Sequence, residues 1–325
     1  MTIPLIERYR SQLPVSAATP VVSLGEGSTP LLRADRLAQA AGLRELWLKW
    51  EASNPTGSYK DRGMTVAVSK ALEEGAEAVL CASTGNTAAS AAAYAARAGI
   101  PALVLTPEGA VAGAKLAQTR MLGATVLEVR GDFDAALSAA QQLGQRGSHV
   151  LVNSLNPNRR EGQKTAVLEI VEELGAAPDC FVLPYGGGGN TSSYALGLRQ
   201  LGLDTPLVSV EAADRHRTLA SAIRIGDPVH ARAVEESGAT VLVVDDEEIV
   251  GAWRRLAEEG LCCEPSSAAG LAAVLRGDVD GDRVVVTITG HGLKDPAAAE
   301  RYAPPRVVVD PDPDAIAGAS RSGKR

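Results

Sequence analysis

Short apolar runs alternate with helix-periodic stretches along almost the whole chain, and this rhythm restricts the fold more than any other feature. Strand-type runs fall at 46–50, 78–82, 102–105, 125–129, 149–152, 180–183, 207–211, 240–244 and 283–289. Between them, apolar residues recur at helical spacing over 87–97, 114–122, 133–145, 163–174, 245–259 and 266–275. A further helix starts from about Thr191, and a short one spans 33–41 before Gly42. Strand and helix in regular alternation specify α/β units with parallel sheets. At 325 residues the chain is long for one core, so two lobes are expected, each an open, mostly parallel sheet flanked by helices. Aromatics make up only 3% of residues, and Ala, Val, Leu and Gly take their place, a mixture suited to helices packed on such sheets.

Charge and cysteine usage exclude several classes of function. A net charge of −7 without any lysine- or arginine-rich block argues against a nucleic-acid partner, although helix N-termini can hold phosphates locally. No apolar run approaches membrane-spanning length, and residues 1–10 place charge where a signal peptide needs apolar residues. Cys81, Cys180, Cys262 and Cys263 show no paired C-x-x-C spacing, so neither a metal nor a disulfide framework is expected. Four reduced thiols fit a cytoplasmic enzyme. Residues 1–20 read as a polar arm, and residues 313–325, following a Pro- and Asp-rich run, as a disordered tail.

One stretch stands out: Asn54-Pro-Thr-Gly-Ser-Tyr-Lys60-Asp-Arg-Gly-Met64. Pro55 and Gly57 break what precedes them, and Ser58 is a good helix N-cap. Met64, Ala67, Val68, Ala71 and Leu72 then recur at helical spacing as far as Gly75. Lys60 therefore stands at the entrance to a helix, beside its positive end. Such a position disfavours the ammonium, would depress its pKa and would free an amine for carbonyl chemistry.

Four further loops follow strands, where open α/β sheets bind ligands. Ser83-Thr-Gly-Asn86-Thr87 offers hydroxyls, an amide and free N–H groups to a carboxylate or a ring hydroxyl. Gly186-Gly-Gly-Gly-Asn190 can close its backbone N–H groups around an oxyanion. A dinucleotide loop is the rival reading there; it lacks G-x-G-x-x-G spacing, yet Glu211 stands roughly where the ribose acid belongs, and the loop alone leaves both open. Asn153-Ser-Leu-Asn-Pro-Asn-Arg159-Arg160-Glu-Gly-Gln-Lys164 brings arginines and amides to a helix start, a good second phosphate site. Thr287-Ile-Thr289-Gly-His291-Gly-Leu-Lys294 ends the last strand.

Taken together, these stretches resemble threonine synthases of the fold type II pyridoxal-phosphate enzymes, in order and with family-like spacing from about Glu7 to Asp295. The lysine motif there reads N-P-T-G-S-F-K-D-R-G-M, with Tyr59 as the one departure. The resemblance implies pyridoxal 5'-phosphate joined to Lys60 as a Schiff base. It further implies Asn86 at the ring oxygen, Thr289 at the pyridine nitrogen, and Gly186, Gly187, Gly188, Gly189 and Asn190 around the cofactor phosphate. Ser83, Thr84 and Thr87 would line the substrate carboxylate and phosphate area, while Asn153, Ser154 and Arg159, with Lys164 as an auxiliary, would hold the substrate phosphate. Glu264-Pro would pack near the ring, and His291 would have a structural or proton-shuttling role. Gly187 departs from the Asn often found in the family and is closer to dehydratases, which have no reason to keep a second anion site. The implied activity is conversion of O-phospho-L-homoserine and water to L-threonine and phosphate. The implied architecture is a smaller mobile lobe over 34–153, a larger one over 1–33 and 154–312, and a homodimer.

Overall fold

A computed structural model of the protein describes residues 3–109 and 113–322. The larger of its two sheets has the order β1 (Leu31–Arg33), β2 (Glu45–Trp50), β10 (Arg283–Ile288), β7 (Cys180–Pro184), β8 (Leu207–Ala212) and β9 (Thr240–Val244). The smaller has the order β5 (Thr125–Val129), β4 (Ala102–Pro107), β3 (Ala78–Ala82) and β6 (His149–Leu151). Every pairing is parallel except the edge pair of β1 with β2. Parallel strands buried on both faces need continuous apolar runs, and β3, β7 and β10 supply them. On one face of the larger sheet Val182, Val284 and Val286 pack with Ala268, Ala269 and Leu271 of the helix Pro265–Arg276. On the other, Phe181, Leu183 and Val285 meet Val167 and Ile170 of the helix Pro157–Leu174.

The expected strands all appear, most of them within a residue or two of their expected ends. The expected lobe boundary at residue 34 falls elsewhere. β2 pairs with β10 from Glu45 to Trp50, so that segment belongs to the larger sheet, and the smaller sheet begins at Ala78. Residues 1–20 are not a polar arm: Leu5, Ile6, Tyr9 and Leu13 are buried against Val66 and Leu168. Their helix-like spacing is short and is hidden among charged neighbours. A helix, Pro313–Ser322, stands where a disordered tail was expected; residues 323–325 lie outside the described residues.

Two helices position the chemistry, Lys60–Glu73 and Pro157–Leu174. They cross backbone to backbone at Gly63 and Gly162. A Cβ on Gly162 would stand 2.0 Å from the Arg62 carbonyl oxygen, and one on Gly63 would stand 2.5 Å from the Arg159 carbonyl oxygen. Beside this crossing lies a buried quartet of two cations and two carboxylates. Arg62 donates from Nε and Nη2 to Glu51 (2.7 and 2.8 Å) and from Nη1 and Nη2 to Glu169 (2.8 and 2.6 Å). Lys49 lies 3.0 Å from Glu169 and donates to the Thr29 carbonyl. Burial alone would raise the Glu169 carboxyl, but the Arg62 charge and hydrogen bonds, with Lys49, hold it down at about 2. Two fork-to-fork pairs of this kind fix direction as well as distance.

Two consequences follow for stability. Between pH 4.5 and 2 the unfolded chain binds a proton at Glu169 that the folded chain refuses, so stability is full above pH 4.5 and falls as pH falls through this window, by about 3 kcal/mol. Glu169→Gln is expected to cost on the order of 3–5 kcal/mol at neutral pH, since it leaves Arg62 with one carboxylate and takes from Lys49 the carboxylate it pairs with, and to flatten that acid limb in urea titrations. Gly162→Ala is expected to unfold the protein or lower its thermal midpoint sharply, because the obstacle is backbone and cannot rotate away. An unchanged midpoint would show that the helices can separate freely.

Candidate active site

β2, β10 and β7 are parallel neighbours, so the loops that follow them emerge along one edge. Those loops carry Lys60, Thr289 and the glycines 186–189. The lysine loop is stitched onto the end of β10: Tyr59 N–H donates to Thr289 O (3.0 Å), Ser58 bridges Gly290, and His291 N–H donates to Gly57 O (2.9 Å). Gly57 makes the turn at φ +83°, a conformation that favours glycine. Asp61, fully buried, accepts from Thr56 N–H (2.7 Å), Thr56 Oγ1 (2.6 Å) and Ser90 Oγ (2.6 Å); burial pushes its carboxyl up to about 6. These bonds fix Lys60 between two braced neighbours. Ser58 is not the helix cap that its sequence position suggests. Tyr59 occupies that position, and the Ser58 hydroxyl is buried without a protein partner. Lys60 Nζ donates to the Tyr59 hydroxyl.

In the smaller sheet β3 and β6 are neighbours, so the loops at 83–87 and 153–159 also emerge together. Ser83 and Thr87 are half-buried and Thr84 is exposed. Asn86 donates to Glu264 Oε1 (2.9 Å), which brings the loop across to the larger sheet, and its own carbonyl oxygen is buried and unpartnered. Lys115 meets the same Glu264 at 2.8 Å. Lys294, from beyond β10, donates to Thr56 O (2.9 Å) and to Gln118, and burial pushes its ammonium down to about 8.

The helix expected to start at 163 begins six residues earlier, at Pro157, so Arg159 lies in its first turn. Proline preset for the first turn and Asn156 capping Asn158 N–H explain the earlier start. Arg159 is fully buried. Nη1 donates to Val152 O (2.8 Å), whereas Nε and Nη2 have no partner among the described residues. Among the described residues no carboxylate forms an ion pair with it, and burial lowers its pKa against a weaker opposing pull from nearby groups that include Asp61. A buried guanidinium of this kind calls for an anion. Asn153, expected to hold a phosphate, instead exchanges both side-chain hydrogen bonds with the Ala82 backbone (2.9 Å each) and so braces the two loops. Lys164 pairs with Glu161, and His291 Nδ1 accepts from Leu293 N–H, a capping role.

The glycine loop leads into the helix Gly189–Leu201. Gly188 has φ +80°, and a Cβ there would meet Val234, Tyr185 and His230 at 3.0–3.2 Å. Gly187 is different, since a Cβ would make only an ordinary 3.7 Å contact with Ile225, so space does not require glycine there. Asn190 Nδ2 is buried and unpartnered. Glu211, the possible ribose acid, pairs with Arg215. Among the described residues no group of three or more His, Cys, Asp or Glu could hold a metal, and no helix is long and apolar enough to cross a membrane. All four cysteines are free, and only Cys262 is exposed.

Comparison with known proteins bears on this arrangement directly. A family model described as "Pyridoxal-phosphate dependent enzyme" matches residues 22–290. Threonine synthase of Synechocystis sp. is 46% identical over 95% of this chain and 88% of its own length. That of Mycobacterium tuberculosis is 45% identical over 96% and 94%. The chain belongs to the threonine synthase family of pyridoxal-phosphate dependent enzymes. The fold is shared more widely: maize serine racemase superposes with a TM-score of 0.76 at 23% identity, over 89% of this chain and 92% of that one.

For this family member, pyridoxal phosphate is the cofactor, and the residues present suit it. A lysine amine, the unpartnered Asn190 amide N–H and a glycine loop at a helix start provide an amine and anion-binding donors along one edge, and the unpartnered Asn86 amide oxygen adds an acceptor from the other sheet. The chain missed one participant at the sequence level. His230 lies in an irregular stretch with no local signal, yet it packs on the glycine loop. Gly188→Val should lower pyridoxal phosphate affinity at least about ten-fold, given a strained φ and three close neighbours, measured by titrating the bound-cofactor absorbance. Parent-like affinity would place the cofactor phosphate elsewhere.

Proposed function

We propose that this family member converts O-phospho-L-homoserine and water to L-threonine and phosphate, as the names of its relatives suggest. The observation that carries the reading is Arg159, a buried cation whose two unpartnered nitrogens provide for a second anion, separate from the glycine loop. Pyridoxal phosphate, when bound, supplies an aldehyde that captures the substrate amine and a conjugated ring that accepts an electron pair. Lys60 would hold the cofactor covalently, with the 186–190 loop on its phosphate, Asn86 and Thr289 along its ring, and Glu264 steadying Asn86. Ser83, Thr84 and Thr87 would take the substrate carboxylate.

Once the substrate displaces it, the Lys60 amine removes one proton at Cα and one at Cβ, and returns one at Cγ after the phosphate has left and one at Cα after water has added. The Tyr59 hydroxyl accepts from Nζ and keeps the amine in place. Arg159 and Ser154 hold the phosphate as it leaves, which stabilises developing negative charge where water is excluded. Asn153 keeps their loop in position through Ala82. Water then adds its hydroxyl at Cβ, and its proton passes to the released phosphate. We infer a cytoplasmic homodimer from family habit.

Arg159→Ala tests this reading. Cofactor binding and the lysine-linked absorbance should survive, while kcat/KM for the phosphorylated substrate falls by about 2–4 kcal/mol, roughly 30- to 1,000-fold. Any activity on serine or threonine should hardly change, and inhibition by inorganic phosphate should disappear. Equal losses on both substrate types would make Arg159 structural. Lys60→Ala should abolish turnover and the lysine-linked absorbance, and borohydride should no longer fix the cofactor to the chain.

A further inference from the structure

His230 stands between the two anion loops. Its backbone N–H donates to Gly187 O (3.0 Å), and its imidazole Nε2 lies 3.0 Å from Ser154 O. A carbonyl only accepts, so Nε2 carries the proton and donates. The residue is 8% exposed. Its Cβ lies 3.2 Å from where a Gly188 Cβ would stand, and its ring Cδ2 lies 3.6 Å from the Gly189 equivalent, so the missing side chains make room for the ring. Burial first, and then the cations Arg160, Lys60 and Arg159, push its pKa down, so at neutral pH it is an uncharged donor. Arg160 and Arg159 face it from the helix Pro157–Leu174, and Lys60 faces it from the helix Lys60–Glu73.

We propose that His230 is a positioning residue that couples the two anion sites, by tying the carbonyl side of the glycine loop at Gly187 to that of the second loop at Ser154. The inference rests on the reading that the 153–159 loop holds a phosphate. An anion ordering the N–H groups of one loop fixes the peptide that His230 grips, and the flat imidazole passes that restraint to the other loop. Coupling of this kind is reciprocal: phosphate at Ser154 and Arg159 would tighten the hold on pyridoxal phosphate, and the cofactor would tighten the hold on phosphate. The phosphorylated substrate and the phosphate product would then each keep the cofactor seated during turnover.

The experiment follows loss of pyridoxal phosphate from the holoenzyme into a scavenger, with and without saturating inorganic phosphate, whose binding is measured by calorimetry. In the parent, phosphate should slow the loss at least about five-fold, within the usual range of linkage. In His230→Ala the ratio should fall below about two-fold although phosphate still binds, and His230→Gln, which keeps an N–H donor of similar reach, should restore most of it. If alanine empties the site of cofactor, His230→Asn, too short to reach Ser154 O, gives the same comparison. A ratio that survives His230→Ala overturns the inference alone, as does a parent that binds phosphate without slowing cofactor loss. Phosphate affinity unchanged in Arg159→Ala overturns the reading of the second loop, and the inference with it.

Discussion

The crossing of the lysine helix and the arginine helix at Gly63 and Gly162 is the constraint on which the site depends. There the two backbones approach so closely that a Cβ on either glycine would collide with a carbonyl oxygen of the other helix. Lys60 lies three residues before one glycine and Arg159 three residues before the other. The spacing of Lys60 and Arg159 is thus set by backbone contact, which side-chain motion cannot relax. The Arg62 quartet holds the same crossing by charge. Its four groups come from β2, the turn after it and both helices, so no single element can shift without breaking a buried ion pair.

Around this crossing the protein keeps its cations in unequal states of satisfaction. Arg62 is gripped by two carboxylates, and Lys115 and Lys164 each have one. Arg159, equally buried, has a single carbonyl. Burial without a paired counter-charge is unfavourable to the free protein, and under the proposed function a phosphate there would relieve it. The same logic applies in milder form to the unpartnered amides of Asn86 and Asn190. Polar groups that the fold leaves without partners mark where it expects a ligand.

Much of this was legible beforehand. The alternation of apolar runs placed all the strands of both sheets but β1, because parallel strands covered on both faces have no choice but to be apolar throughout. The lysine, glycine and arginine loops were recognisable because each combines turn-forming residues with the chemistry of its ligand. Boundaries were less so. The helix beginning at Pro157 was expected later, since Asn156 to Gln163 is polar and shows no apolar period, although Pro157 and its cap were in plain view. The buried residues Leu5, Ile6, Tyr9 and Leu13 were masked by charges whose side chains face solvent.

The sequence by itself determined the α/β architecture and the pyridoxal-phosphate family, because periodicity, turn chemistry and residue type are local matters. Tertiary structure decided the rest. It assigned β2 to the larger sheet, joined Asn153 to the Ala82 backbone, and left Arg159 Nε and Nη2 without partners among the described residues. It also brought His230 to Ser154 across 76 positions and to Gly187 across a gap in which no motif announces it. Those outcomes depend on which backbone atoms lie opposite one another after the sheets and helices have packed, and no pattern along a single segment encodes that.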